Sequence, residues 1–409
     1  MALLSSSQKN NFLFSVAEAL EQNWEEIVSE NAQDVARAKA QGASAMIDRL
    51  LLNKDRVLAI ARDVRNVARL EDEVGKVVHE TTRPNGLFLQ NVRCPLGVVG
   101  IIYESRPNVT VDAAVLAIKS GNAVVLKGGK EAIASNRALV RIMKDVLLSH
   151  HLPSSAIEFL DTTERKATAE LLHARGMIDV VIPRGGKGLI AFVVENAKVP
   201  VIETGASVVH TFVDASANID EAVAIVVNEK TRRVSVCNAL DTLLLEETIA
   251  EQFLTKLSKA FLVSSQKNGF PIVKIHAKET VLSLLHDYPD VAKVSLKEGD
   301  YSTEWLDYEM SVRIVKDINE AITHIQTYSL GHSESICSNT PEHIEAFFAR
   351  VDSACVYANA STCFSDGAQF GLGAEIGIST QKMHVRGPFA LEGLTSTKWI
   401  IRGSGQIRE

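Results

Sequence analysis

Residues 96–133 read LGVVGIIYESRPNVTVDAAVLAIKSGNAVVLKGGKEAI, and their rhythm decides the fold. LGVVGIIY (96–103) is an apolar, β-branched run of strand length. VTVDAAVLAIKSG (109–121) reads as a helix closed by Gly121, and NAVVLK (122–127) as the next strand. Apolar strands alternating with helices describe a parallel sheet covered on both faces, so the fold class is α/β. The alternation runs on through SNRALVRIMKDVLLSHH, AIEFLDT, ERKATAELLHARG, IDVVIP, KGLIAFVVENA and VPVIE. Sheets of this kind bind ligands at the carboxyl ends of their strands.

Two stretches at those ends are alike. VVLKGGKEAI (124–133) and VVIPRGGKGLI (180–190) each close a strand with a basic residue, two glycines and a lysine, then open a helix. Glycine permits close backbone approach, and a helix N-terminus offers unpaired N–H groups to an anion. Lys127, Gly128, Gly129 and Lys130 form one candidate cradle; Arg184, Gly185, Gly186 and Lys187 form the other. Their charge suits the phosphates of a dinucleotide, including the extra phosphate of NADP. Neither stretch fits GxGxxG or GxxxxGK[ST], and the bland alternative is a pair of glycine turns with solvated lysines.

Upstream, Leu13, Val16, Leu20, Trp24 and Ile27 fall on one stripe of an amphipathic helix, and Val57, Ile60, Val64 and Val67 repeat the pattern beyond Gly42. VHETTRPNGLFLQNVRCP carries a hairpin signal at Pro84-Asn85-Gly86. Downstream, a second alternating region runs to about residue 360. A tail rich in glycine and small polar residues follows, the composition of a binding loop or oligomer contact.

At 409 residues the chain is too long for one ordinary core. The net charge of −7 argues against a nucleic-acid partner. No apolar run approaches the ~20 residues of a membrane span, and no secretory leader is read at the start. Cys94, Cys237, Cys337, Cys355 and Cys363 are odd in number and at no metal-like spacing, which suggests reduced thiols in a cytoplasm and no metal site.

KTRRVSVCNALDTLLL (230–245) sets Cys237 between a basic cluster (Lys230, Arg232, Arg233) and a strand-like run. A lone cysteine reads equally as an inert core thiol. Its neighbours carry more. PLGVVGIIYESRPNVTVDAA, GNAVVLKGGKEAIASN, IDVVIPRGGKGLI, PVIETG, SVCNALDTLL, EAITHIQTYSLGHSESI and FGLGAEIGISTQKMHVRGPFALEGLT occur in this order. Together they resemble the gamma-glutamyl phosphate reductases, a branch of the aldehyde dehydrogenase superfamily. The likeness spans about residues 10–400, and Val315–Ile336 follows the family's signature segment with His324, Tyr328, His332 and Glu334.

The resemblance implies an aldehyde-dehydrogenase-like fold with a Rossmann-like cofactor domain, an α/β catalytic domain and an oligomerisation hairpin. On this chain those map to 1–228 (with 80–95 in the hairpin), 229–360, and a tail 361–409 returning to the first domain and the oligomer contact. It implies NADPH-dependent reduction of L-glutamyl 5-phosphate to L-glutamate 5-semialdehyde with release of phosphate, Cys237 being the nucleophile. A homo-oligomer and coupling to glutamate 5-kinase are the expected partners. Lys127 matches a lysine on the adenosine ribose and Glu304 a glutamate on the nicotinamide ribose. Asn108 reads either as an oxyanion donor or as a cap of the following helix. Arg106, Lys382 and Arg386 are candidates for the substrate's anionic groups, and Glu203 falls where hydrolytic relatives keep a general base.

Three positions depart from the family pattern: Lys127 and Cys363 stand where arginine is usual, and Val234 where proline is. Two other functions stay open at this point. One is an aldehyde dehydrogenase that hydrolyses its thioester; the other is an inactive oligomeric binding protein, to which Cys363 points.

Overall fold

The computed structural model describes residues 1–42 and 44–408. The chain forms two compact units. One comprises Met1–Thr204, Gly371–Gly377 and the segment from Pro388 onward; the other comprises Gly205–Phe370 and Ile378–Gly387. The first unit thus ends at Thr204, whereas the sequence places the boundary at 228. The reason is strand pairing: the elements between 209 and 231 belong to the second sheet. The tail is likewise shared between the units rather than returned whole to the first.

The first unit opens with helices α1 (Ser6–Gln22), α2 (Trp24–Ala40), α3 (Ser44–Leu50) and α4 (Lys54–Arg69). Ser5 and Gln8 close a reciprocal capping box on α1. The predicted stripe is buried at Leu13, Val16, Leu20 and Ile27 but spans two helices, because the chain breaks at Asn23. Val57, Ile60, Val64 and Val67 are buried on α4, as their spacing predicts. The hairpin follows as β1 (Val77–Thr82) and β2 (Phe88–Pro95), turned at Gly86 with φ +86°. The strand Thr395–Arg402 pairs antiparallel with β2 to complete a three-stranded sheet.

Next come β3 (Val98–Tyr103), α5 (Pro107–Lys119), β4 (Ala123–Gly128), α6 (Ile133–Ser149), β5 (Ile157–Phe159), α7 (Arg165–His173), β6 (Val180–Arg184) and α8 (Lys187–Asn196). The four strands are parallel, in the order β5-β4-β3-β6. VPVIE is not a full strand: only Val201 bridges to Val181, and Pro200 has no N–H to extend the ladder. Ile102 and Val181 pack on Leu171, Leu172 and Val193 of α7 and α8, covering one face. Parallel pairing puts the ends of β3, β4 and β6 side by side, which brings both glycine turns to one edge.

The second unit holds β7 (Val209–Val213), α9 (Ile219–Thr231), β8 (Leu240–Glu246), α10 (Ala250–Asn268), β9 (Lys274–Ala277), α11 (Glu279–Leu282), β10 (Lys293–Ser295), β11 (Glu309–Val315), α12 (Ile318–Tyr328), β12 (Ser333–Cys337), α13 (Pro341–Arg350) and β13 (Cys355–Ala358). Its sheet is parallel throughout, in the order β10-β9-β11-β8-β7-β12-β13. Phe253, Leu257 and Phe261 of α10 cover one face with Leu243, Leu245 and Val312. Ile322, Ile325 and Phe347 cover the other with Phe212, Leu244 and Ile336. Among the described residues no helix is long and apolar enough to cross a membrane.

Gly97, just before β3, has φ +127°, and a Cβ there would lie 2.0 Å from Asp179 Oδ2. That carboxylate accepts the Val98 N–H at 2.7 Å, so it has little room to retreat. Gly97→Ala is expected to lower the unfolding free energy by about 2–3 kcal/mol, read as a shift of the urea midpoint.

Candidate active site

The turn that carries Cys237 is fastened at its base. Asn218 starts α9 by accepting the N–H groups of Asp220 and Glu221, and the helix ends at Thr231. Lys230, on its last turn, is fully buried and donates from Nζ to the carbonyl of Leu240, the first residue of β8, at 2.8 Å. The residues between, including the half-buried Cys237, form a loop whose ends this hydrogen bond joins. Asn238 holds the loop from the other side. Its side-chain amide donates to Ser365 O at 3.0 Å and Cys363 O at 3.4 Å, and its main-chain carbonyl accepts from Thr362 Oγ1 at 2.8 Å.

Asp241, one residue into β8, accepts the N–H of Val209 at 3.0 Å and of Trp305 at 2.9 Å. Trp305 follows Glu304, whose carboxylate accepts from Ser207 Oγ at 3.1 Å. Cys237, Ser207 and Glu304 therefore all precede the strands they lead into. Cys237 sits at the amino edge of its sheet, where the carboxyl-end rule does not look. Burial draws Lys230 down to about 8 and raises Asp241 to about 7, each opposed by the other's charge.

Arg232 and Arg233 are exposed. The Arg232 charge opposes the rise that burial imposes on the Cys363 thiol. Cys363 is buried under the turn, 3.8 Å from Asn228 O, and burial raises its pKa. Beside it, the buried Glu229 accepts from Thr211 Oγ1 at 2.8 Å and from Thr362 N at 2.9 Å.

The two glycine turns lie at the carboxyl edge of the first unit's sheet. Gly128 packs tightly: a Cβ would lie 2.2 Å from Asn136 Nδ2. Lys127 is buried, donates to Thr162 O at 2.8 Å and to Gly128 O at 3.3 Å, and is held below the usual lysine range by burial. The first turn opens a short 3₁₀ segment, Lys130–Ala132, before α6, whereas the second opens α8 directly at Lys187. Between the turns stands Glu104, the residue leaving β3. Its Oε2 accepts the Gly186 N–H at 2.9 Å, and a Cβ on Gly185 would meet its carboxylate at 2.6 Å. A side chain is excluded at Gly185, and the chain's own carboxylate is seated on the Gly186 N–H.

Asn108 is the second residue of α5 and not its cap; the cap position is Arg106, which makes no side-chain capping bond. Asn108 Nδ2 donates to Asp112 Oδ2 at 3.0 Å. Burial raises the Asp112 carboxyl to about 7 against that bond, with Asp63 adding to the rise and Arg184 opposing it. Ser105, between Glu104 and Arg106, has φ +25°, a local strain at the end of the central strand. Lys382 and Arg386 both pair with Asp352, Arg386 Nη1 lying 2.7 Å from Oδ1. Glu203 is half-buried in the loop beyond Val201. The signature residues His324, His332 and Glu334 are core: Glu334 accepts the His210 N–H at 2.8 Å, and burial holds His324 down to about 2. Among the described residues no group of three or more His, Cys, Asp or Glu is arranged to hold a metal.

The sequence reading missed Glu104, Glu229 and Asp241. Two had a visible signal: a charge inside LDTLLL, and a charge ending the central strand, both where apolar residues are the rule.

The aldehyde dehydrogenase family profile matches residues 1–278. Gamma-glutamyl phosphate reductase of Carboxydothermus hydrogenoformans is 51% identical, over 100% of this chain and 96% of that one. The chain belongs to this family. The Moorella thermoacetica gamma-glutamyl phosphate reductase is 48% identical, over 100% and 95% of the two chains. The crystal structure of the Thermotoga maritima reductase matches with a TM-score of 0.93 at 41% identity, covering 100% of this chain and 96% of that one. A family member is thus built with its cysteine on a clamped turn and its glycine turns on a separate sheet edge.

Glu229 allows a pH test. Burial raises its carboxyl from 4.5 to about 7, so the folded protein binds that proton more tightly than the unfolded chain. The contribution is fully present below pH 4.5 and lost as pH rises through about 7. Glu229→Gln is expected to flatten this fall and to exceed wild type at pH 8 by about 2 kcal/mol, read from urea midpoints at pH 5 and 8.

Proposed function

We propose that this chain catalyses the NADPH-dependent reduction of L-glutamyl 5-phosphate to L-glutamate 5-semialdehyde and phosphate, the second step of proline biosynthesis from glutamate. The observation that carries this reading is the Cys237 turn, pinned by Lys230 on one side and Asn238 on the other, in a chain 51% identical to a gamma-glutamyl phosphate reductase over its whole length.

A carboxylate resists hydride addition, so its carbon needs a leaving group first. The Cys237 thiolate attacks the acyl carbon, the C–O bond to phosphate breaks, and a thioester remains on Sγ. NADPH, when bound, supplies the hydride that reduces this thioester. Expulsion of the thiolate then frees the aldehyde and restores Cys237. Attack places negative charge on the acyl oxygen, for which the Cys237 N–H and the Asn108 amide are the proposed donors; such a donor is worth roughly 2.7–4 kcal/mol. An amide nitrogen carries two hydrogens, so Asn108 serves Asp112 with one and keeps one.

Lys127, Gly128, Gly129, Arg184, Gly185, Gly186 and Lys187 would hold the dinucleotide, and their positive charge favours NADPH over NADH. Glu304, fixed by Ser207 and by the Trp305–Asp241 bond, would take the nicotinamide ribose. Arg106, Lys382 and Arg386 are proposed for the substrate's anionic groups, which would compete with Asp352 for the last two. The three-stranded sheet exposes Val78 (55%), Trp399 (51%) and Ile401 (58%), which supports a homo-oligomer through this sheet. The five cysteines, none of them in a disulfide, support a cytoplasmic location, and the lability of an acyl phosphate supports delivery by glutamate 5-kinase.

Given semialdehyde, phosphate and NADP⁺, the purified protein is expected to form NADPH only when phosphate is present. Cys237→Ser is expected to lower that rate by at least about a thousandfold with the fold retained by circular dichroism. NADPH formation indifferent to phosphate would instead mark an aldehyde dehydrogenase, and no formation at all an inactive scaffold.

A further inference from the structure

β3 is an interior strand, bonded to β4 on one side and β6 on the other, so the residue leaving it falls between the two glycine turns. That residue is Glu104. Its N–H donates to Arg184 O at 3.0 Å and carries the ladder one step past the strand. Its carboxylate then folds onto the start of α8, where Oε2 accepts the Gly186 N–H at 2.9 Å. Gly185 lies directly beneath it, since a Cβ there would sit 2.6 Å from Cδ and 2.8 Å from Oε2. Gly129 closes the other side, with its Cβ direction 2.7 Å from Glu131 Oε2, 3.3 Å from Ser105 N and 3.7 Å from Glu104 Cα. A carboxylate thus covers the glycines and takes the N–H that a phosphate oxygen would take. The side chain is also exposed, so it can rotate away into water.

We propose that Glu104 is an internal competitor for the dinucleotide: its carboxylate holds the Gly186 N–H and swings out when a phosphate of the cofactor takes that position. The inference rests on the reading of the glycine turns as a dinucleotide site. Two anions cannot share one N–H donor, and like charges at this separation repel. The exchange replaces one charge-assisted hydrogen bond by another, which lowers net affinity while keeping the turn formed between turnovers. The same competition hastens departure of the spent dinucleotide, a step that sets turnover in many enzymes with bound cofactors.

The test is calorimetric titration of the full chain with NADP⁺. Glu104→Gln keeps the shape and removes the charge; Glu104→Asp keeps the charge and withdraws it from Gly186 by one methylene. Glu104→Gln is expected to lower Kd about tenfold and Glu104→Asp severalfold. A Kd for either folded variant equal to or above that of wild type overturns the competition while leaving the dinucleotide reading in place. If Glu104→Gln does not fold, Glu104→Asp decides alone, with the same direction expected. Failure of wild type to bind NADP⁺ and NAD⁺ at millimolar concentration overturns the dinucleotide reading and the competition with it.

Discussion

Lys230 buries an ammonium group, and the fold of the second unit is arranged around satisfying it. A buried cation is tolerated only if it is hydrogen-bonded and partnered by opposite charge. The Leu240 carbonyl supplies the first and Asp241 the second. Asp241 in turn needs donors, and it finds them in the backbone N–H groups of Val209 and Trp305. One desolvated charge therefore ties together the end of α9, the starts of β7 and β8, and the loop before β11. These are the segments that present Cys237 and Glu304. A well-packed apolar pair could stabilise the sheet as well, but it would not fix backbone at three separate places.

Much of this was legible from residue order. The β-branched runs of LGVVGIIY, NAVVLK and IDVVIP became the buried strands their composition requires, because a strand covered on both faces has no polar side to show. The glycine turns came together because parallel strands end in register. The hairpin at Pro84-Asn85-Gly86 formed because Gly86 takes a positive φ that other residues resist. The domain boundary was less legible. VHTFV at 209–213 has the same apolar character as the strands before it, and nothing local says which sheet it joins. Strand pairing decides that, and pairing is a long-range choice.

The candidate site was only partly legible for a similar reason. Cys237 and the glycines are marked by residue type, but their supports are not. Asn238 looks like a turn residue, yet it holds the 362–365 segment. Lys382 and Arg386 look like paired anion receptors, and the chain's own Asp352 already answers both. Sequence neighbours advertise charge; only the fold shows where it is spent.

The two sheet edges in use have opposite fields. At the carboxyl edge of the first sheet, α8 starts, and its unpaired N–H groups favour an anion. At the amino edge of the second sheet, α9 ends, and the negative end of its dipole disfavours one. An anion at that edge begins at an electrostatic disadvantage. The residues around the helix end carry the compensation: Lys230 on the last turn, Arg232 and Arg233 just beyond. Cations at a helix C-terminus oppose its dipole, each typically by about 0.3–1 kcal/mol. The basic cluster of KTRRVSVCNA thus opposes the negative end of the helix that leads into the Cys237 loop.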